Sequence, residues 1–244
     1  MTVLVTGGSS GIGRAVAEHW GGLGHDVVIN YHSNDSAAQE AADAVRLAGG
    51  RAHLVKADVG TVDGVRDVVA SVRAITDSLD LYVHCAALAI TGGSLQIDPE
   101  LLSRAIEVNA TSMVALAQGL LPVLESGSSI IYVSSRGART FVPSYVALGP
   151  SKALGESLIR YLAVELAPHG VRANTVAAGA IDTPAFRSMF GDQAQVRLDA
   201  AAAANPSGRG IVMKDVISTI EMVANPSNTM IQGQTLMVDG GISL

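Results

Sequence analysis

A phenol and an ammonium on one short segment can act together on a proton, and SYVALGPSKAL (144–154) places Tyr145 seven positions before Lys152. A tyrosine hydroxyl has an ordinary pKa near ~10, so it is a proton donor at neutral pH, and a nearby ammonium lowers that value by favouring phenolate. The chain takes almost all its positive charge from 13 arginines; Lys56, Lys152 and Lys214 are its only lysines. A lysine kept at 152 against that background suggests a need for a compact ammonium rather than a guanidinium fork. Asn109 in VNATS and the pair Ser134 and Ser135 in VSSRG could add hydrogen bonds to the same chemistry. Each residue also has an ordinary structural reading, as a core-edge tyrosine, a turn serine or an asparagine on the polar face of a helix.

What turns these scattered groups into a candidate site is the segment VTGGSSGIGRAVAEHW, with Gly7, Gly11 and Gly13 directly after an apolar run and before an amphipathic one. Glycine has no Cβ, so it lets the chain turn tightly and lets backbone N–H groups approach a pyrophosphate at the positive end of the following helix. A strand before and a helix after make dinucleotide binding the favoured reading of this turn. Asp58 follows the third apolar run and could accept a hydrogen bond from an adenine amino group. An NAD site usually has a carboxylate about 20 residues past the glycines, to hold the ribose hydroxyls. Here the second run ends in Asn30, Tyr31, His32 and Ser33, with no carboxylate before Asp35, so NADPH is favoured, with NADH not excluded.

The elements that must position these groups follow from the pattern. Short β-branched runs at 2–6, 26–31, 52–57, 79–85, 129–135, 171–178 and 234–240 alternate with amphipathic stretches at 11–23, 36–48, 62–77, 99–125, 150–167 and 213–224. Strand followed by helix, repeated, gives parallel strands, and runs that are apolar without alternation suit a sheet covered on both faces. The expectation is a single α/β domain over 1–244 with a Rossmann-type, doubly wound, parallel seven-stranded sheet. Ligands of such sheets bind at the C-terminal ends of the strands, where Asn109, Ser135, Tyr145 and Lys152 fall. The stretch 180–210 is far longer than a usual connection, and residues 184–208 are expected to form a substrate lid, with a short helix in the alanine run 200–204. Pro150 should start the sixth helix at 149 or 150, because a proline ring collides with the carbonyl four residues earlier, leaving Tyr145 on the preceding loop.

Composition narrows the partners. A formal charge of −6 without a basic cluster argues against nucleic acid, whose phosphates are bound mainly by Lys and Arg. Mean hydropathy is +0.35, yet no run approaches the ~18 uninterrupted apolar residues that span a bilayer. The N-terminal run TVLV meets a turn signal at once, so no export signal is expected, and the single cysteine, Cys85, excludes an internal disulfide and agrees with the cytoplasm. A small-molecule ligand and no metal are the expectation.

With these motifs in hand, TGGSSGIG, the Asp58-Val59 pair, VNATS, VSSRG, SKAL and QTLMVDGG resemble the short-chain dehydrogenase/reductase family over essentially the whole chain. Most members place the acid tyrosine in YxxxK, which here would be position 148, a leucine. Ser135 keeps its usual spacing to Lys152, so the tyrosine alone has moved. YxxxxxxK is the spacing of enoyl-acyl-carrier-protein reductases, and YVALGPSKAL, RYLAVEL, GAIDT and IQGQTLMVDGG resemble the type III enzymes in particular.

That resemblance implies reduction of the 2,3-double bond of an enoyl thioester, with Tyr145 hydrogen-bonded to the thioester carbonyl, Lys152 on the nicotinamide ribose, Ser135 beside the tyrosine and Asn109 holding a relay water. It implies cofactor contacts at Gly7, Ser9, Ser10, Gly11, Ile12 and Gly13, at Tyr31, His32 and Ser33, at Asp58 and Val59, at Ala86 and Ala87, and at Gly179, Ile181 and Thr183. It further implies a homotetramer or homodimer, with the apolar segment MVALAQGLLPVL suited to the interface, and an acyl substrate carried on coenzyme A or an acyl carrier protein. Three features depart from the family pattern: His84 and Cys85 stand where two asparagines are usual, and Ser10 where many NADPH users carry a basic residue. Arg136 and Arg139 are candidates for a phosphate contact. A carbonyl reductase and a non-catalytic dinucleotide-binding protein stay open beside the enoyl reductase.

Overall fold

A computed structural model describes residues 1–244. Its seven strands lie in one sheet in the order β3-β2-β1-β4-β5-β6-β7: β1 Thr2–Thr6, β2 Asp26–Tyr31, β3 Arg51–Lys56, β4 Leu79–His84, β5 Leu124–Ser135, β6 Arg172–Ala178 and β7 Thr235–Val238. Every neighbouring pair is parallel. The order reverses between β1 and β4, and such a switch point opens a crevice above the strand ends. The expected sheet is present, with strand limits within a residue or two except at β5 and β7. β5 begins five residues early, its first part joined to β4 through an irregular register between Leu79 and Leu81.

Side chains alternate between the two faces of the sheet, and each face has its own core. α3 Val62–Ile75, α5 Ser112–Leu120 and α6 Leu148–Leu166 cover one face, packing Val68, Leu116 and Ile159 against Leu4, Tyr82 and Ile130. α1 Gly11–Gly22, α2 Asp35–Leu47 and α9 Met213–Ala224 cover the other, packing Val16, Ala41 and Ile220 against Val3, Val5 and Ile131. Local chemistry fixes where helices start: Asn34 accepts from the Ala37 N–H and Thr61 from the Gly64 N–H, each satisfying a donor that the first turn leaves free.

Three expectations are corrected. The helix expected over 99–125 is α4 Pro99–Ile106, a π-turn at Glu107–Thr111 centred on Asn109, α5, and a 3₁₀ turn at Leu121–Val123. This stretch is the one helical span long and apolar enough to suggest a membrane helix, yet 44% of its most apolar window is buried inside the fold. In MVALAQGLLPVL, Met113, Leu116, Leu120 and Val123 belong to that core rather than to a free face. Second, α6 starts at Leu148, so Pro150 lies in its first turn, where no N–H partner is needed and the carbonyl four residues back precedes the helix. Third, the lid is helical well beyond the alanine run, with α7 Pro184–Phe190 and α8 Ala194–Ala204.

Candidate active site

The turn after β1 builds the floor of the site. Gly7 and Gly11 have φ of +63° and +54°, a left-handed backbone that favours glycine. A Cβ on Gly13 would overlap the Gly7 carbonyl oxygen, so the first turn of α1 can pack on the loop only with glycine there. The N-cap of α1, Ser10, makes no side-chain hydrogen bond to the helix, and no acidic residue occupies the first turn. The turn therefore presents free backbone donors and a positive dipole end to the crevice, the chemistry that a pyrophosphate needs.

Above this turn is a cavity of about 520 Å³. It is lined by Gly7, Ser9, Ser10, Gly11, Ile12 and Gly13 from the first turn, by Tyr31, His32 and Ser33 at the tip of β2, and by Asp58 and Val59 after β3. Ala86 and Ala87 after β4, Ser135, Tyr145 and Lys152, and Gly179, Ile181 and Thr183 after β6 complete it. Of the residues expected at the site, Asn109 and the two phosphate candidates Arg136 and Arg139 are outside this wall. The cavity thus joins a dinucleotide-shaped crevice to the tyrosine and lysine, and its free donors fit a bound nicotinamide dinucleotide.

Tyr145 approaches from the loop before α6. Its hydroxyl lies 3.1 Å from Ser135 Oγ, which also accepts from the Gly137 N–H at 3.2 Å. The loop is pinned on both sides: the Tyr145 carbonyl accepts from the N–H groups of Leu148 and Gly149, and the Ser144 carbonyl accepts from the Gly92 N–H. Ser144 has φ of +62°, the one non-glycine residue with a left-handed backbone. A Cβ on Gly137 would come within 2.5 Å of Tyr145 Cε1, so the glycine of VSSRG gives the phenol ring its space. Burial raises the Tyr145 pKa, and the bond to Ser135 opposes that only in part. No lowering by Lys152 is observed, and desolvation of the phenol sets the direction. Tyr145 is accordingly a neutral hydrogen-bond donor at pH 7.

Lys152, one turn beyond Leu148 on α6, is buried and donates to the Val133 carbonyl at 2.7 Å. Burial lowers its pKa to about 8, and the Glu156 carboxylate opposes that shift only in part. Glu156, also buried, accepts from Ser134 Oγ at 2.7 Å and pairs with Arg139 at 3.1 Å. Arg139 is thereby engaged rather than free for a phosphate. Leu148, where the family tyrosine is usual, forms an apolar part of the cavity wall.

Asn109 serves the scaffold. Its side chain accepts from the Leu88 N–H at 2.6 Å and donates to the Leu88 carbonyl and Ser151 Oγ, while its own carbonyl accepts from Tyr132. It thus ties the loop after β4 to α6, and no polar atom of its side chain faces the cavity. Asp58 is drawn toward protein partners: it forms an ion pair with Arg104, accepts from the Gly60 N–H at 3.0 Å and lies 3.6 Å from His32 Nε2. Asp35 is bound by Tyr31 and Lys56, each at 2.9 Å, which removes the first carboxylate after β2 from competition for the cavity.

The two unusual residues after β4 have distinct surroundings. His84 is fully buried and its Nδ1 lies 3.1 Å from Thr6 Oγ1 and 2.8 Å from the Tyr82 hydroxyl, so it braces β1 against β4. Burial, with the charge of Lys152, pushes its pKa down to about 3, and it stays neutral. Burial pushes the Cys85 thiol up to about 12, so it is no nucleophile at neutral pH.

Sequence reasoning missed the aromatic lid. Phe190 of α7 lies parallel to Tyr145, ring centres 6.5 Å apart, with Phe186 against it and the Arg197 guanidinium 4.3 Å over its ring. It missed Arg104 as well, whose partners come from a different strand end. The spacing of Phe186 and Phe190 on one helical face, inside the expected lid, was the available signal.

These features define a class: a doubly wound parallel sheet with a glycine turn for a dinucleotide and a tyrosine–serine–lysine group at the strand ends. The chain belongs to the short-chain dehydrogenase/reductase family, and the family profile described as Enoyl-(Acyl carrier protein) reductase matches residues 7–243. It is an NAD(P)H-dependent oxidoreductase of enoyl-reductase-like type.

Among characterised relatives, the chain is 34% identical to 1-cyclohexenylcarbonyl-CoA reductase of Streptomyces collinus, covering 99% of this chain and 86% of that one. It is 32% identical to 3beta-hydroxysteroid dehydrogenase 1 of Eggerthella lenta, covering 100% and 94%. Among solved structures, a short-chain dehydrogenase from Burkholderia cenocepacia in complex with NADP superposes with a TM-score of 0.89 at 28% identity, covering 99% of this chain and 97% of that one.

Proposed function

We propose that this chain reduces the 2,3-double bond of an enoyl thioester with NADPH. The observation that carries the reading is the seat of Tyr145: its hydroxyl meets Ser135 at 3.1 Å from the loop, while Leu148 holds the usual tyrosine position. A phenol reaching in from that loop suits the oxygen of a carbonyl conjugated with the carbons that react. The kinship to a cyclohexenylcarbonyl-CoA reductase supports the same assignment.

When bound, the reduced nicotinamide supplies a hydride for the β-carbon. Tyr145, kept neutral by burial and aligned by Ser135, donates to the thioester oxygen where negative charge develops, so the enolate is stabilised more than the substrate. Lys152 would hold the ribose hydroxyls of the bound cofactor and keep the local field positive. Leu148, Phe186 and Phe190 offer the acyl group an apolar wall, and the α-carbon takes its proton from solvent that enters the open cavity. NADPH is preferred because the tip of β2 offers His32 and Ser33, and Asp35 is already neutralised by Lys56. The acyl carrier is coenzyme A or an acyl carrier protein, and the assembly is a homotetramer or homodimer.

A second reading, reduction of a 3-oxoacyl thioester or another ketone, draws on the 3beta-hydroxysteroid dehydrogenase relative and on a 29% identical reductase that catalyses keto-reduction. Family membership, by contrast, closes the non-catalytic reading. The test is oxidation of NADPH and of NADH with crotonyl-CoA and acetoacetyl-CoA side by side. Turnover of crotonyl-CoA with NADPH is expected, and turnover of acetoacetyl-CoA alone would overturn the assignment in favour of the ketone reading. Light scattering reads the assembly, with four copies or two expected.

A further inference from the structure

The ammonium of Lys152 rests on a tyrosine that the family motifs do not include. Tyr132, in the middle of β5, is wholly buried, and Lys152 Nζ sits 4.7 Å from the centre of its ring. The next carbonyl along the strand, that of Val133, takes a hydrogen bond from the same ammonium at 2.7 Å. The Tyr132 hydroxyl points the other way along the network: it donates to the Asn109 carbonyl at 2.7 Å, inside the π-turn that interrupts the helix over 99–123. Such turns disturb the regular hydrogen-bond ladder, and here a side chain from the sheet satisfies one of the carbonyls involved. Stacking on His84, ring centres 5.8 Å apart, holds the phenol from the β4 side. On α6 a Cβ at Gly155 would overlap Tyr132 Cζ, so the helix makes room for this ring one turn below the lysine.

We propose that Tyr132 is the positioning residue for Lys152: its ring face and the adjoining Val133 carbonyl form the seat of the buried ammonium, and its hydroxyl anchors that seat to the Asn109 turn. The proposal rests on the reading of Lys152 as the ammonium that holds the dinucleotide, but the seat itself can be tested without substrate. A ring face attracts a cation, most strongly where both are removed from water. It favours the charged lysine against the desolvation that brings its pKa down to about 8. The other titratable groups around the ammonium are His84 and Cys85 from β4, Glu156 from α6 and Tyr145 from the preceding loop. His84, Cys85 and Tyr145 are neutral at pH 8, which leaves Glu156 as the charged group that raises the lysine value.

Three lysines in the whole chain make the test direct, because selective ¹³Cε-lysine labelling gives three NMR signals that K152M, K56R and K214R assign. In the full-length protein the Lys152 signal is expected to titrate near pH 8, well below that of Lys56, whose pairing with Asp35 raises its value. Tyr132→Phe keeps the ring and should leave the midpoint within a few tenths of a unit, while lowering thermal stability through the unpaired Asn109 carbonyl. Tyr132→Leu removes the ring and should move the midpoint down by about one pH unit. Tyr132→Met, also ring-free, replaces it if leucine packs too poorly to fold. A ring-free variant with the wild-type midpoint, or a phenylalanine variant shifted as far as leucine, would overturn the proposal. A parallel titration with NADPH and NADH keeps the readings apart: wild type that binds neither would sink the functional assignment and leave the lysine result standing.

Discussion

Tyr145 and Ser135 share a hydrogen bond of 3.1 Å although one comes from a loop and the other from the end of β5, with nine residues between them. The turn that reverses the chain between them is held by the left-handed Ser144 and by the Gly92 N–H on the Ser144 carbonyl. The pair is therefore the product of backbone geometry rather than of helical spacing, and its contribution can be removed one atom at a time. Tyr145→Phe is expected to lower kcat for crotonyl-CoA about 10²- to 10³-fold with little change in KM, the usual loss when one donor to a developing oxyanion is deleted. Ser135→Ala, which leaves the phenol in place but unaligned, should cost less. Steady-state kinetics of the two variants check this, and a Ser135→Ala loss exceeding that of Tyr145→Phe would contradict the ordering.

The ring of Tyr145 has its space only because residue 137 has no side chain. Gly137→Ala would bring a Cβ within 2.5 Å of Tyr145 Cε1, and the phenol must swing away from Ser135. The expected result is a loss of kcat near that of Tyr145→Phe, with a melting temperature within a few degrees of wild type, because the displaced ring borders an open cavity. Thermal melts and kinetics on one preparation separate this from unfolding.

The fold was legible because its periods are strong: runs such as TVLVT and DVVINY can be buried on both faces only in a parallel sheet. The glycine turn and Lys152 were legible because their chemistry is bound to fixed local geometry. Asn109 was not, since the π-turn that turns its side chain toward Leu88 and Ser151 depends on partners 21 and 42 residues away. The start of α6 was misplaced by one or two residues because proline is tolerated throughout the first turn. The lid was expected to hold only a short helix in its alanine run, because α8 shows little amphipathic pattern; the lid helices cover a cavity rather than a core. His84 read as a lost asparagine, yet in place it braces the same two strands through Thr6 and Tyr82.

Cofactor choice turns on the tip of β2. A carboxylate there would accept from free ribose hydroxyls but repel a 2′-phosphate at close range. His32→Asp is therefore expected to lower kcat/KM for NADPH about tenfold or more while NADH is retained or improved. Kinetics with each cofactor at saturating enoyl thioester check this, and an unchanged NADPH preference would move the phosphate contact away from His32.

Lys152 links function to stability with a definite sign. Its ordinary pKa of 10.5 falls to about 8 in the folded chain because burial disfavours the ammonium. Between those two values the unfolded chain binds more protons than the folded one, so stability rises with pH across that window. Below about pH 8 the full cost of burying the charge is present. The difference amounts to roughly 3 kcal/mol at pH 7. Lys152→Met keeps the length of the side chain and removes the charge, so it should unfold at higher denaturant than wild type at pH 7, and the gap should narrow by pH 10. The same variant should lose most of its activity, because in the proposed mechanism the ammonium that burdens the fold would also hold the ribose. Urea denaturation at pH 7 and pH 10, with activity assayed on the same samples, reads both effects. A methionine variant less stable than wild type at pH 7 would mean that the seat on Tyr132 and Val133 more than offsets the desolvation of the lysine.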